Sequence, residues 1–370
     1  MTIGFDAKRL FHNKTGLGNY SRTLVRNLYR YFPDHAYHLF SSTHSLKDTF
    51  FNQPTFTIHQ NGTMPAALWR SQGQVNLWKQ ERIQIYHGLS NELPFTTSNS
   101  TATVVTIHDF IFKTLPRTYS LADRQLYHLK VKSSCQKADA IIAISQHTKK
   151  DLCQYYGVNP DRIQVIYQAV QDIYYEVAAQ DKKITSAILD DLPDEYFLCV
   201  GTLEKRKNQL QLLKAWQQLE SAYQLPIVLV GRGKSYVATL KKYAHQNKIP
   251  VIFLNNITAT QDLIAIYQQA TLFIYPSLYE GFGLPIVEAQ LSGVPVITSN
   301  TSSMVEASGP ATELVNPTNT TSLVEAIQLL LADQEGNDQR IQEGRKFVLR
   351  TFHPKLLSTQ MVSLYEKLVS

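Results

Sequence analysis

The chain has 370 residues, 44% of them hydrophobic and 18% charged; that exceeds what one hydrophobic core uses, so two domains are expected and long disordered stretches are excluded. The formal net charge of +6 is unevenly placed: residues 1–180 carry 19 Lys and Arg against 12 Asp and Glu, whereas residues 181–370 carry 17 against 18. The basic first half favours an anionic partner, but no zinc-finger spacing, RNP-like strand or dense basic arm accompanies it, so no nucleic-acid partner is expected.

Residues 2–6 read as a buried strand directly after Met1, with no charged leader or apolar signal core. No run of about 18 apolar residues occurs anywhere, so the expected setting is cytoplasmic with no membrane span. Further strands fall at 37–41, 84–87, 103–107, 140–143 and 163–166, and helices at 17–31, 122–137 and 146–156, where apolar residues recur at three- and four-residue spacing. Residues 172–195, polar and ending near Pro193, read as a linker. A second series of strands follows at 196–200, 227–230, 251–254, 272–275, 294–297 and 312–315. Strands alternating with helices predict an α/β protein of two Rossmann-like, doubly wound parallel-sheet domains. The first spans 1–175, the second 190–354, and a last helix within 355–370 is expected to pack back on the first domain. Cys135, Cys153 and Cys199 are odd in number and form no Cys-x-x-Cys pair, which predicts packed thiols rather than disulfides or a zinc site.

Open α/β sheets bind ligands beyond the carboxyl ends of their strands, and four segments there carry chemistry. In Lys14-Thr15-Gly16-Leu17-Gly18-Asn19-Tyr20, Gly16 and Gly18 let backbone amides approach a phosphate at a helix N-terminus. Thr106-Ile107-His108-Asp109 ends a buried strand in an imidazole able to donate to a sugar hydroxyl, with Asp109 beside it to fix the tautomer or bind acceptor. Gly201-Thr202-Leu203-Glu204-Lys205-Arg206-Lys207-Asn208 sets three cations before a helix, where the helix dipole disfavours them unless an anion is bound. Arg206 and Lys207 are therefore candidates to neutralise a diphosphate.

The fourth segment runs from Tyr275 through Glu280-Gly281-Phe282-Gly283-Leu284-Pro285 to Glu288. Its glycines relax the loop, Pro285 suits a first helical turn, and two carboxylates frame one set of free amides. Rival motifs fail on the same stretches. Ser21 stands where a dinucleotide fingerprint needs its third glycine, and Val228 where a P-loop ending in Gly233-Lys234-Ser235 needs its first.

Glu280 and Glu288, separated by seven residues, resemble the Glu-x7-Glu motif of the retaining glycosyltransferases of family 4. The likeness extends to the glycine-rich loop at Gly16–Gly18, the histidine segment at His108 and the cation stretch after Gly201. One departure is Thr202, which stands where that family often has arginine and so leaves more weight on Arg206 and Lys207. The resemblance implies the GT-B fold, with the two domains facing each other across a cleft. It further implies a GDP- or UDP-linked sugar donor, no metal and no other cofactor, and a hexose of mannose or glucose type transferred with retention to a glycan or lipid-linked glycan, as in polysaccharide biosynthesis. Glu280 would bind the donor sugar, Glu288 the ribose, and His108 the transferred group. Arg206, Lys207, Thr202, Gly16, Gly18, Gly281, Phe282, Gly283 and Leu284 would line the donor. No Asp-x-Asp triplet occurs, in keeping with a metal-free mechanism. A sugar-nucleotide epimerase of the same architecture, or a silent scaffold, is the alternative. The basic first half also points to contact with an anionic membrane surface. Ser303-Met304-Val305-Glu306 is expected to form a helix-capping box.

Overall fold

The computed structural model describes residues 1–13, 15–43, 49–62 and 64–370; Lys14, which opens the glycine-rich segment, lies outside them. The chain forms two compact units, Met1–Ala169 with Phe352–Ser370, and Val170–Thr351.

In the first unit the strands are β1 (Thr2–Asp6), β2 (Ala36–Phe40), β3 (Phe56–His59), β4 (Ile85–Gly88), β5 (Ala102–Ile107), β6 (Ala140–Ala143) and β7 (Ile163–Val165). They form one parallel sheet in the order β3-β2-β1-β4-β5-β6-β7. Runs such as Val104-Val105-Thr106-Ile107 are buried on both faces, as expected of a parallel sheet covered by crossover helices. β3 escapes the sequence reading because it is an edge strand, paired only with β2, and needs no continuous apolar run. The helix Pro354–Val369 belongs to this unit. Its Tyr365 hydroxyl lies 2.6 Å from His87 Nδ1. The other nitrogen of that imidazole meets Thr106 Oγ1 at 2.7 Å, and Tyr20 OH meets the same Oγ1 at 3.0 Å. Burial first, then nearby His108, pushes His87 down to about 3, so this chain of bonds is uncharged and pins the last helix to the sheet.

The second unit contains β8 (Phe197–Val200), β9 (Ile227–Val230), β10 (Val251–Leu254), β11 (Leu272–Tyr275), β12 (Val296–Ser299) and β13 (Glu313–Val315). All pair in parallel, in the order β10-β9-β8-β11-β12-β13. Residues 172–195, read from their polarity as a linker, instead open this unit. Asp172–Gln180 is a helix that buries Tyr174, Tyr175 and Val177, apolar anchors diluted in the sequence by exposed polar neighbours. Cys135, Cys153 and Cys199 are all free thiols.

Candidate active site

In the second unit the strand order reverses between β8 and β11, and the crevice outside the carboxyl ends of such neighbours is where a ligand is expected. The loops that leave these two strands carry Arg206 and Lys207 on one side and Glu280 on the other. Glycine makes the first loop possible: Gly201 has φ +140° and Gly231, after β9, has φ +151°. A methyl added to Gly231 would stand 1.9 Å from the Gly201 carbonyl oxygen. Beyond Gly201 the chain turns through a short 3-10 helix, Lys205–Lys207, to Asn208 at φ +59°. The Asn208 amide donates to the carbonyls of Pro276 at 3.1 Å and Pro317 at 2.8 Å, while Leu278 N–H donates to Arg206 O at 2.9 Å. These bonds stitch the cation loop to the acid loop.

The result is a compact charged cluster. Glu280 is 7% exposed. Its Oε1 lies 2.7 Å from Lys207 Nζ and its Oε2 2.7 Å from Arg206 Nη1. Tyr275, the last residue of β11, donates its hydroxyl to Glu280 Oε1 at 3.1 Å and also meets Lys207 Nζ. Arg206 further donates to Tyr279 O at 2.9 Å and pairs with Glu204 at 2.6 Å. Burial alone would raise the Glu280 carboxyl, but Lys207 and Arg206 overcome it and hold the group at about 2. Lys207 is pulled below the ordinary lysine value by burial first, against the attraction of Glu280.

The rest of the acid loop is held from below. Ser303 Oγ donates to Glu280 O at 2.8 Å and to Phe282 O at 3.0 Å, and Glu280 N–H donates to Ser302 Oγ at 3.1 Å. The expected capping box at Ser303 is therefore absent: its hydroxyl makes no cap bond to its own helix because two loop carbonyls take it. Gly283, at φ +116°, caps the helix Leu284–Ser292, whose first turn contains Pro285. One turn further in, Glu288 Oε2 accepts from Tyr267 OH at 3.0 Å. Burial raises Glu288 to about 7, and the Tyr267 bond opposes the shift only in part. Thr202 is exposed, and its carbonyl accepts from Gln209 Nε2 at 3.0 Å. Tyr275 and Tyr267 were not given a role from sequence, and Ser303 was read only as a helix cap, not as the support of the acid loop. Of the two tyrosines, only Tyr275 carried a signal, as the last residue of a strand.

In the first unit Gly16 is exposed and opens the helix Gly16–Tyr31. Gly18 is a packing requirement, since an added Cβ would lie 1.8 Å from Asn13 O, whereas one on Gly16 would meet nothing within 4 Å. His108 is buried at the end of β5, with its ring edge-on to Tyr20 at 4.7 Å. Its Nε2 bonds to Leu89 O at 2.8 Å, and its Nδ1 accepts from Gln168 Nε2 at 3.2 Å. Burial lowers it to about 4, so the ring is neutral and Nε2 carries the hydrogen. Both ring nitrogens are thus engaged within this unit, and the imidazole gives a sugar hydroxyl nothing until one bond is exchanged. Asp109 Oδ1 accepts from Ile111 N–H at 3.1 Å and does not bond the His108 ring. Among the described residues the one group able to hold a metal ion is His38, His59 and Glu81, also in this unit. There His38 Nδ1 and His59 Nε2 already share a bond of 2.9 Å.

Both halves find relatives in known proteins. Residues 15–172 match the family described as Glycosyltransferase Family 4, and residues 181–347 that described as Glycosyl transferases group 1. The chain belongs to the group 1 glycosyltransferases of family 4. This glycosyltransferase is 29% identical to O-antigen chain mannosyltransferase B of Escherichia coli over 298 residues, 77% of the chain and 74% of the relative. It is 32% identical to the serotype-specific mannosyltransferase WbdA of the same organism over 244 residues, 63% of the chain but only 29% of that longer relative. Among solved structures it resembles HepE of Anabaena in complex with UDP-glucose, with a TM-score of 0.75 at 18% identity over 99% of the chain and 100% of HepE. Sucrose-phosphate synthase of Thermosynechococcus elongatus gives 0.76 at 18%, over 100% of the chain and 99% of the synthase. These likenesses establish the GT-B fold.

Proposed function

We propose that the glycosyltransferase moves a hexose, mannose before glucose, from a GDP- or UDP-linked donor to a glycan or lipid-linked glycan acceptor, with retention of configuration and without a metal ion. The observation that carries this is the contact of Glu280 with both Lys207 and Arg206, at 2.7 Å each, where the strand order of the second unit reverses. Departure of a nucleoside diphosphate builds negative charge on its β-phosphate, and two preorganised cations can meet it without a divalent ion. Glu280, ionised at neutral pH, positions those cations and accepts from donor sugar hydroxyls. Glu288 accepts from the ribose. Retention follows if the acceptor attacks on the face the diphosphate leaves, with a phosphate oxygen taking its proton. Mannose comes first because the relatives at 29% and 32% identity are mannosyltransferases.

The deciding experiment is a thermal-shift screen of nucleotide sugars in excess chelator, followed by NMR of the product's anomeric proton. A GDP- or UDP-hexose is expected to raise the melting temperature, because it binds only the folded state, and the product is expected to keep the donor's configuration. Stabilisation or turnover seen only after manganese or magnesium is restored refutes the metal-free part, and an inverted product refutes retention.

A lipid-linked acceptor brings the enzyme to a membrane surface, and the helix Leu121–Lys137 fits that role. Leu121, Leu126 and Leu129 are exposed by 75%, 52% and 59%, and exposed Lys132 follows one turn after Leu129 on the same face. Among the described residues no helix is long and apolar enough to cross a membrane, so the contact would be interfacial. Replacing Leu126 and Leu129 by serine is expected to weaken cosedimentation with vesicles containing anionic lipid by about tenfold or more. If the unaltered protein fails to sediment with such vesicles at low salt, the membrane role falls.

A further inference from the structure

His108 is held at every polar atom it has. Its backbone N–H donates to Asn91 Oδ1 at 2.8 Å, and its carbonyl accepts from Thr148 Oγ1 at 3.2 Å. On the ring, Nε2 meets Leu89 O at 2.8 Å and Nδ1 meets Gln168 Nε2 at 3.2 Å, while Tyr20 packs edge-on at 4.7 Å. These partners come from four separate stretches of chain: the loop after β4, the helix Gly16–Tyr31, the helix Gln146–Tyr156 and the segment after β7. Filling a core requires only that the ring nitrogens be satisfied. Here backbone and ring are both fixed, and from several directions.

The two ring bonds differ in kind. Leu89 O can only accept, so Nε2 carries the hydrogen and, in a ring that burial keeps neutral, Nδ1 is left with a lone pair. Gln168 must then turn its amide nitrogen to the ring, because its oxygen in that place would set lone pair against lone pair. The surroundings of Gln168 favour that orientation. It lies just past β7, where Ile166 N–H donates to Ala143 O at 3.1 Å, and is itself buried. It lines a small pocket together with Thr23, Asn27 and Ser358, all buried and each with a hydrogen-bond donor on its side chain. Donors on that side suit the amide oxygen and leave the nitrogen for His108.

We infer that Gln168 is a positioning residue for glycosyl transfer: by donating to His108 Nδ1 it fixes the tautomer and the plane in which the imidazole meets the transferred sugar. The inference rests on the reading that His108 meets that sugar, and goes beyond it by naming what orients the ring. Gln168 acts through His108. Its removal leaves Nδ1 without a donor, so the ring gains freedom to turn and to carry its hydrogen on either nitrogen, and a displacement of about 1 Å is enough to slow transfer strongly. The effect falls on turnover rather than on donor affinity, because the diphosphate cluster of Arg206, Lys207 and Glu280 belongs to the second unit.

The test pairs steady-state kinetics with long-range proton–nitrogen NMR of the full chain carrying isotope-labelled histidine, the His108 signals being assigned by their loss in His108→Gln. Gln168→Met keeps the size and removes the donor, whereas Gln168→Glu keeps the shape and puts an acceptor in its place. The unaltered protein at neutral pH is expected to show one neutral tautomer, with the hydrogen on Nε2. Gln168→Met is expected to mix the tautomers and to lower kcat about tenfold or more, with KM for the donor within about twofold. Gln168→Glu is expected to bring a hydrogen onto Nδ1 and to lower kcat at least as far. An unchanged tautomer in both variants overturns the inference whatever happens to kcat, since any loss is then structural. A changed tautomer with kcat within about twofold, in the face of an impaired His108→Gln, overturns it as well. Turnover at the unaltered rate in His108→Gln defeats the reading on which the inference stands, and the spectra tell that failure apart from a Gln168 that does not hold the ring.

Discussion

Replacing Glu280 by glutamine is expected to lower turnover by about 100-fold or more and to remove about 3 kcal/mol of stability at neutral pH. The carboxylate bridges Lys207 and Arg206 at 2.7 Å each. Without it Arg206 retains Glu204 at 2.6 Å, but Lys207 is left buried with the Tyr275 hydroxyl and loses the carboxylate it contacts. The pH dependence follows from the same geometry. Burial raises Glu280, the two cations more than reverse the effect, and its folded value near 2 lies below the ordinary 4.5. Its contribution is therefore fully present above pH 4.5 and fades as the pH falls towards 2. Melting temperatures of the two proteins are expected to differ most at pH 7 and to converge in acid. Adding Lys207→Met to the glutamine variant removes the orphaned cation and is expected to restore much of the stability but none of the turnover. A glutamine variant as stable as the unaltered protein at pH 7 would show that the bridge is not closed in solution.

Much of this cluster was legible in the sequence because its parts sit where open sheets place chemistry. Both loops follow apolar strands, β8 and β11, whose 4-residue runs are buried throughout. The glycines and cations after one, and the Glu-x7-Glu spacing after the other, are local signals. What joins them is not local. Asn208 reaches across to Pro276 and Pro317, and Ser303 rises to the Glu280 and Phe282 carbonyls. A serine followed three residues later by glutamate reads as a helix cap in any sequence, and only the fold reveals that its hydroxyl is committed elsewhere. His108 shows the same limit: the strand placed it correctly, but its bonds to Leu89 and Gln168 arise from long-range packing.

Glu288→Gln is expected to act in the opposite sense from Glu280→Gln, stabilising the ligand-free protein above pH 7 by up to about 3 kcal/mol. Burial raises the Glu288 carboxyl to about 7, above the ordinary 4.5, and the hydrogen bond from Tyr267 lowers it only partly. Below pH 4.5 the group is protonated in both the folded and the unfolded chain, so it costs nothing. Between 4.5 and 7 the unfolded chain gives up its proton first, and stability falls as pH rises; above 7 the full cost of a buried carboxylate remains. Glutamine removes that slope, so the two melting curves should coincide near pH 4 and separate by pH 8. The same energetics bear on the donor. A ribose hydroxyl that donates to Glu288 favours the ionised form, so donor binding near pH 6 should release a proton, which calorimetry in buffers of different ionisation enthalpy detects. In the variant that release should vanish and affinity should fall by about tenfold. Identical proton release in both proteins would place the ribose elsewhere. The two acids of the motif are then tuned apart, Glu280 held ionised by its cations and Glu288 held near neutrality until a ligand arrives, which is how neighbouring carboxylates acquire different duties in one site.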